Sequence, residues 1–106
     1  MIKITCKYFS TLYTFTNKEQ ELFELADDTT VEGFLDSLIH KYGGRIAPHV
    51  YAEGYINNTY YKTASVYLNK KRIQWAQDFP HGLQTKLKDN DIIILGLIMG
   101  GGALTC

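Results

Sequence analysis

The side chains able to do chemistry are few and scattered. Cys6 and Cys106 stand near opposite ends of the chain, and His40, His49 and His81 are well separated. No histidine pair has ligand spacing on one element, so no metal site is expected. Two cysteines also exclude a disulfide framework and a four-thiolate zinc site. Cys106 offers a terminal thiol, but it is the last residue and not fourth from the end, so it is no prenylation signal. Cys6 alternates with Ile2, Ile4 and Tyr8, which makes it a small core residue before a sulfur donor. Asp27-Asp28 and Asp89/Asp91 have the types for acid–base work. Each lies at an expected helix start or turn, where carboxylates accept from backbone donors. Lys70-Lys71-Arg72 is a small basic turn that would suit an acidic partner. The remaining candidate is Gly100-Gly101-Gly102. Alone, such a run is a frayed end. Its chemical interest is a backbone without Cβ atoms that can extend closely against another protein. No catalytic residue is assigned anywhere in the chain.

The elements that must position these groups follow from length and patterning. A chain of 106 residues with 45% hydrophobic and 21% charged residues forms one globular domain. Eleven Lys+Arg balance eleven Asp+Glu, so there is no general pull on nucleic acid or an anionic membrane. No apolar run is long enough to span a bilayer. The first eight residues alternate like a strand and not like a signal peptide, so a cytoplasmic location is expected.

Ile2, Ile4, Cys6 and Tyr8 share one face of a first strand. Residues 10–20 are polar and threonine-rich and suit a turn or loose loop. Residues 21–25 form a short second strand, hairpin-paired with the first. Thr29 or Thr30 caps a helix; only with Thr29 does Glu32 complete a capping box. Val31, Phe34, Leu35, Leu38, Ile39 and Tyr42 then recur at helical spacing, and Gly43-Gly44 ends the run. Residues 45–63 hold four tyrosines and read as a loop with an extra hairpin, either an interface or a satellite cluster under a long loop. Residues 64–68 make a third strand. Asn69-Lys70 turns into a fourth over 71–74, and Asp89-Asn90-Asp91 turns into the last. Ile92-Ile93-Ile94-Leu95 is continuously apolar, as in a central strand buried on both faces and lying beside the first. Gly96 interrupts it, and Leu97-Ile98-Met99 continues it to the glycines. The order gives an α+β layer: a mixed sheet of four to five strands with one main helix packed across it.

That order, with its glycine tail, resembles the ubiquitin-like β-grasp fold, and more narrowly the MoaD/ThiS-like sulfur carriers of molybdopterin and thiamine synthesis. Phe9-Ser10-Thr11-Leu12 is similar to the family's Phe-Ala-x-Leu. Thr30-Val31 with Phe34-Leu35 resembles its helix start, and Lys41-Tyr42-Gly43 its helix end. Val66-Tyr67-Leu68-Asn69 resembles its Val-x-Val-Asn, and residues 87–91 its Leu-x-Asp-Gly-Asp. The family's terminal Gly-Gly falls on Gly101-Gly102.

The resemblance implies a non-enzymatic carrier over residues 1–102. A ubiquitin-activating-type enzyme would adenylate the carboxylate of Gly102 with ATP, and sulfur would replace AMP to give a thiocarboxylate. No cofactor is held permanently. Gly101 and Gly100 are the lead into the partner's channel, and Leu97, Met99 and Phe79 are docking candidates. The partners implied are that adenylating enzyme and the large subunit of molybdopterin synthase or a thiazole synthase, with no nucleic acid and no membrane. Two departures stand out. The family ends at its second glycine, whereas Ala103-Leu104-Thr105-Cys106 follow here, so a processing protease is expected to remove 103–106. The Pro-Pro common in the molybdopterin branch is replaced by Gly96-Leu97. Molybdenum or tungsten cofactor synthesis is the preferred pathway, with thiamine or another thiocarboxylate pathway as the alternative. A ubiquitin-like binding module without terminal chemistry and a protein modifier joined to lysines through Gly102 are the remaining readings.

Overall fold

Alternation in the first segment does produce a strand, β1 (Ile2–Tyr8), with Ile2, Ile4, Cys6 and Tyr8 buried on one face. The computed structural model describes residues 1–64 and 66–96. β1 pairs antiparallel with β2 (Gln20–Leu25), in unbroken register from Ile2↔Leu25 to Lys7↔Gln20. Between them lies a helix where a loose loop was expected: α1 (Ser10–Thr16). Leu12 and Thr16, one turn apart, bury its inner side. Asn17 adopts the left-handed conformation at φ 58° and donates its N–H to Tyr13 O, so the short helix has an asparagine stop.

The amphipathic helix is α2 (Val31–Tyr42), capped by Thr30, whose hydroxyl accepts from Gly33 N at 3.0 Å. With Thr30 as cap, Gly33 occupies the position a capping box would give to Glu32, so no box forms. Gly43, at φ +97°, ends the helix. Val31, Phe34, Leu35 and Leu38 are fully buried against the inner face of the sheet. Each such aliphatic or aromatic burial is worth about 1.5–3 kcal/mol.

Residues 45–63 are more ordered than a loop. A 3-10 turn (Gly44–Ile46) and a four-residue helix, α3 (Ala47–Val50), anchor Ile46 and Val50 in the core. β3 (Tyr51–Ile56) and β4 (Thr59–Ala64) then form the extra hairpin as a separate two-stranded sheet. Its turn residues Asn57 and Asn58 both have positive φ, the two-residue geometry that matches strand twist. Asn69-Lys70 repeats that device between β5 (Val66–Leu68) and β6 (Lys71–Arg72). The fourth strand is therefore shorter than expected: Ile73 turns into the core, and its N–H reaches Val66 O.

β7 (Ile92–Leu95) lies between β1, to which it is parallel, and β5, to which it is antiparallel. The main sheet thus has five strands in the order β2-β1-β7-β5-β6. The central position is as expected, but burial on both faces is not. Ile93 and Leu95 are buried beneath α2, whereas Ile92 is 37% exposed and Ile94 half-buried on the outer face. The apolar run reflects β propensity at those two positions more than burial.

Candidate functional site

β7 delivers the chain to the tail, and the corner where it leaves the sheet is tightly specified. Phe9 N donates to Leu95 O at 2.9 Å, which extends the parallel β1–β7 ladder to its last rung. Gly96 follows at φ +81°; a Cβ there would stand 2.2 Å from Phe9 O and 3.3 Å from the Leu12 side chain. Only glycine lets the backbone turn this close to the β1–α1 junction. Ser10 on the same junction is held at φ 50°. Outside the corner, Phe9 is 40% and Tyr13 45% exposed. They share an open depression of about 520 Å³ with Lys7, Tyr8, Ser10, Glu19 and Gln20. Gly96 is therefore held in a close-packed corner against Phe9, and Phe9 also lines this neighbouring depression of aromatic and charged side chains.

Gly100, Gly101, Gly102, Leu97, Met99 and the segment 103–106, including Cys106, lie outside the described residues. Phe79, the other docking candidate, is half-buried and packs against the core, with its N–H on Trp75 O. Trp75 beside it is 46% exposed.

The remaining candidates have structural partners. Cys6 is wholly buried, and burial pushes its thiol up to about 12 against an opposing hydrogen bond with Tyr8. The raised thiol and its full burial accord with a core role for Cys6. Asp89 Oδ1 accepts from Lys3 N, and Asp91 accepts from Lys88 N and the Asn69 amide. Asn69 Oδ1 in turn accepts from Ile92 N, so this cluster clamps the start of β7. Among the described residues Asp27 and Asp28 accept from no backbone donor; they pair with the Met1 ammonium and Lys86. In the basic turn, Lys71 reaches Asp78 at 3.4 Å and Arg72 donates to Gln74. His49 lies against the Phe15 ring, and the described residues hold no cluster of metal-ligating groups. Tyr51 packs against the core and its hydroxyl donates to Asp36, while Tyr55 and Tyr60 form an exposed edge-to-face pair at the hairpin tip.

Sequence reasoning missed one polar cluster. Glu21 opposes Cys6 on the inner face of β2. Its carboxylate accepts from the hydroxyls of Tyr8 (2.9 Å) and Tyr42 (2.7 Å), from Lys18 (3.2 Å) and from Lys41. Burial pushes this carboxyl up, but the four donors, Lys41 foremost, together bring it down to about 2. Burial, and then donation to Glu21, pushes the Tyr42 hydroxyl up to about 12. The signal was available: Glu21 shares strand parity with Phe23 and Leu25, and an inward carboxylate needs partners. The cluster ties β2 and the end of β1 to the end of α2.

No family model and no curated protein matches the sequence. Solved structures do match. A Pyrococcus furiosus protein provisionally described as molybdopterin converting factor subunit 1 superposes with a TM-score of 0.64 at 18% identity, over 90% of this chain and 95% of that one. The small archaeal modifier protein 1 of Methanosarcina acetivorans gives 0.63 at 21% identity, over 90% and 91%. Its Haloferax volcanii namesake gives 0.63 at 17% identity, over 90% and 95%. The chain has the ubiquitin-like β-grasp fold that the resemblance implied.

Proposed function

We propose that this protein is a non-enzymatic sulfur carrier whose working end is the carboxylate of Gly102, exposed by removal of residues 103–106. The observation that carries the reading is the exit corner. A central strand held between two others hands the chain to Gly96, which is locked against Phe9, and Leu97-Ile98-Met99-Gly100-Gly101-Gly102 follows directly. Among its fold neighbours one is described as a converting-factor subunit and others as modifiers, and both kinds of name accord with chemistry at a chain end.

A carboxylate is a poor electrophile. Adenylation by a ubiquitin-activating-type enzyme would consume ATP, release pyrophosphate and leave Gly102 as an acyl-adenylate. A sulfide-level nucleophile would then displace AMP, giving a thiocarboxylate whose ionised sulfur is the nucleophile passed to the acceptor. While Ala103 follows, Gly102 has only a peptide carbonyl, so the full chain cannot be charged there. The preferred acceptor is a pterin precursor on a molybdopterin-synthase large subunit, with thiazole formation as the alternative. All catalysis lies on the partners, and ATP belongs to the activating enzyme.

A second reading, favoured by the modifier proteins among the neighbours, joins Gly102 to lysines of other proteins. One experiment separates the readings. Residues 1–102 and the full chain are each incubated with the host's adenylating enzyme, ATP and labelled pyrophosphate. Exchange with the shortened chain alone supports activation at Gly102; exchange with neither contradicts it. Products that carry sulfur at the terminus favour the carrier, and lysine-linked adducts favour the modifier. Replacing Gly101 by a bulky residue should block exchange and leave the fold intact; unimpaired function would instead indicate a binding module.

A further inference from the structure

The two edges of the main sheet are unlike. β6 is an edge of two residues, Lys71 and Arg72, both exposed cations. Shortness and positive charge are devices that keep an edge from pairing. β2, the other edge, is six residues long, with no proline, no lysine and no bulge in its register with β1. Tyr8 N donates to Glu19 O. In an antiparallel ladder bonded and non-bonded pairs alternate, so Cys6↔Glu21, Ile4↔Phe23 and Ile2↔Leu25 are the bonded pairs. The N–H and C=O groups of Gln20, Leu22 and Glu24 therefore point outward along the free edge. Their side chains all stand exposed on the outer face, Leu22 at 75%.

We propose that β2 is a self-association edge, and that its occupant is β2 of a second copy, paired antiparallel about a two-fold axis at Leu22. This register follows from complementarity. A two-fold axis normal to the sheet must place outer-face residues opposite outer-face residues. With the axis at Leu22, Leu22 meets its own copy, and each Gln20 amide meets the partner copy's Glu24 carboxylate. Each of these three pairs consists of residues whose outward backbone groups have no partner among the described residues, so every pair exchanges two ladder hydrogen bonds. Moving the axis to Phe23 sets Leu22 against Glu24 and loses the match. The two sheets then become one continuous sheet. The contact is narrow, so the dimer is weak and forms at high concentration.

Sedimentation of the full chain from about 10 µM to about 1 mM should show a reversible monomer–dimer equilibrium. Leu22→Lys sets two ammonium groups face to face on an exposed site that leaves the core untouched, and should weaken association about tenfold or more. In a Cys106→Ser background, Leu22→Cys should form a disulfide-linked dimer under copper–phenanthroline oxidation, whereas Glu24→Cys, which faces Gln20, should not. A chain that stays monomeric throughout overturns the proposal. So does a dimer unaffected by Leu22→Lys, or equal cross-linking at both cysteine positions.

Discussion

At Gly96 a single methyl group would strike the backbone oxygen of Phe9 at 2.2 Å, in a conformation at φ +81° that side-chain-bearing residues rarely adopt. Gly96→Ala should therefore cost roughly 2 kcal/mol or more of stability, read as a lower urea midpoint with an unchanged slope. Glu21 makes a pH-dependent contribution. Its folded pKa, about 2, lies below the ordinary 4.5. The native state thus holds its proton less tightly than the unfolded chain, and the stabilisation is complete above about pH 4.5 and lost as pH falls toward 2. Glu21→Gln should destabilise by about 1–2 kcal/mol at pH 7, with the gap to the parent chain closing over that acidic window in a series of thermal melts. At this scale the sequence was legible wherever parity spoke, as for Cys6 in the core. It was illegible where one residue's role depends on distant partners, since Tyr42 and Lys41 reach Glu21 only after α2 has packed.

Among the elements, the turns carry much of the specification. Asn69 is held at φ 51°, donates its amide to Asp91 Oδ1 and accepts from Ile92 N. It therefore shapes the β5–β6 turn and clamps the start of the tail-bearing strand. Asn69→Ala should cost about 2 kcal/mol, as the left-handed tolerance and two hydrogen bonds go together. Amide exchange along β7 should rise more than exchange in α1. The first two strands, α2 and the order of strands after it were readable from spacing. α1 was not, because Thr11, Thr14 and Thr16 gave it the look of a loop, and Leu12 is its one fully apolar buried residue. The hairpin of residues 51–64 was half-visible through Asn57-Asn58. Its separation from the main sheet is a tertiary outcome that no local pattern encodes.

Over the whole molecule, α2 covers one face of a five-stranded sheet whose middle strand leads to the glycines. Under the proposed function the work is divided: the domain supplies the corner at Gly96, and the chemistry belongs to the residues that follow it. The described residues hold no helix long and apolar enough to cross a membrane and no cluster of metal ligands. The functional proposal rests on the chain end, where fold and sequence order meet. It is tested most directly by the intact mass of the protein isolated from its native host. The account predicts a chain ending at Gly102, part of it heavier by the replacement of one terminal oxygen by sulfur. A chain that ends at Cys106 under every growth condition would contradict it.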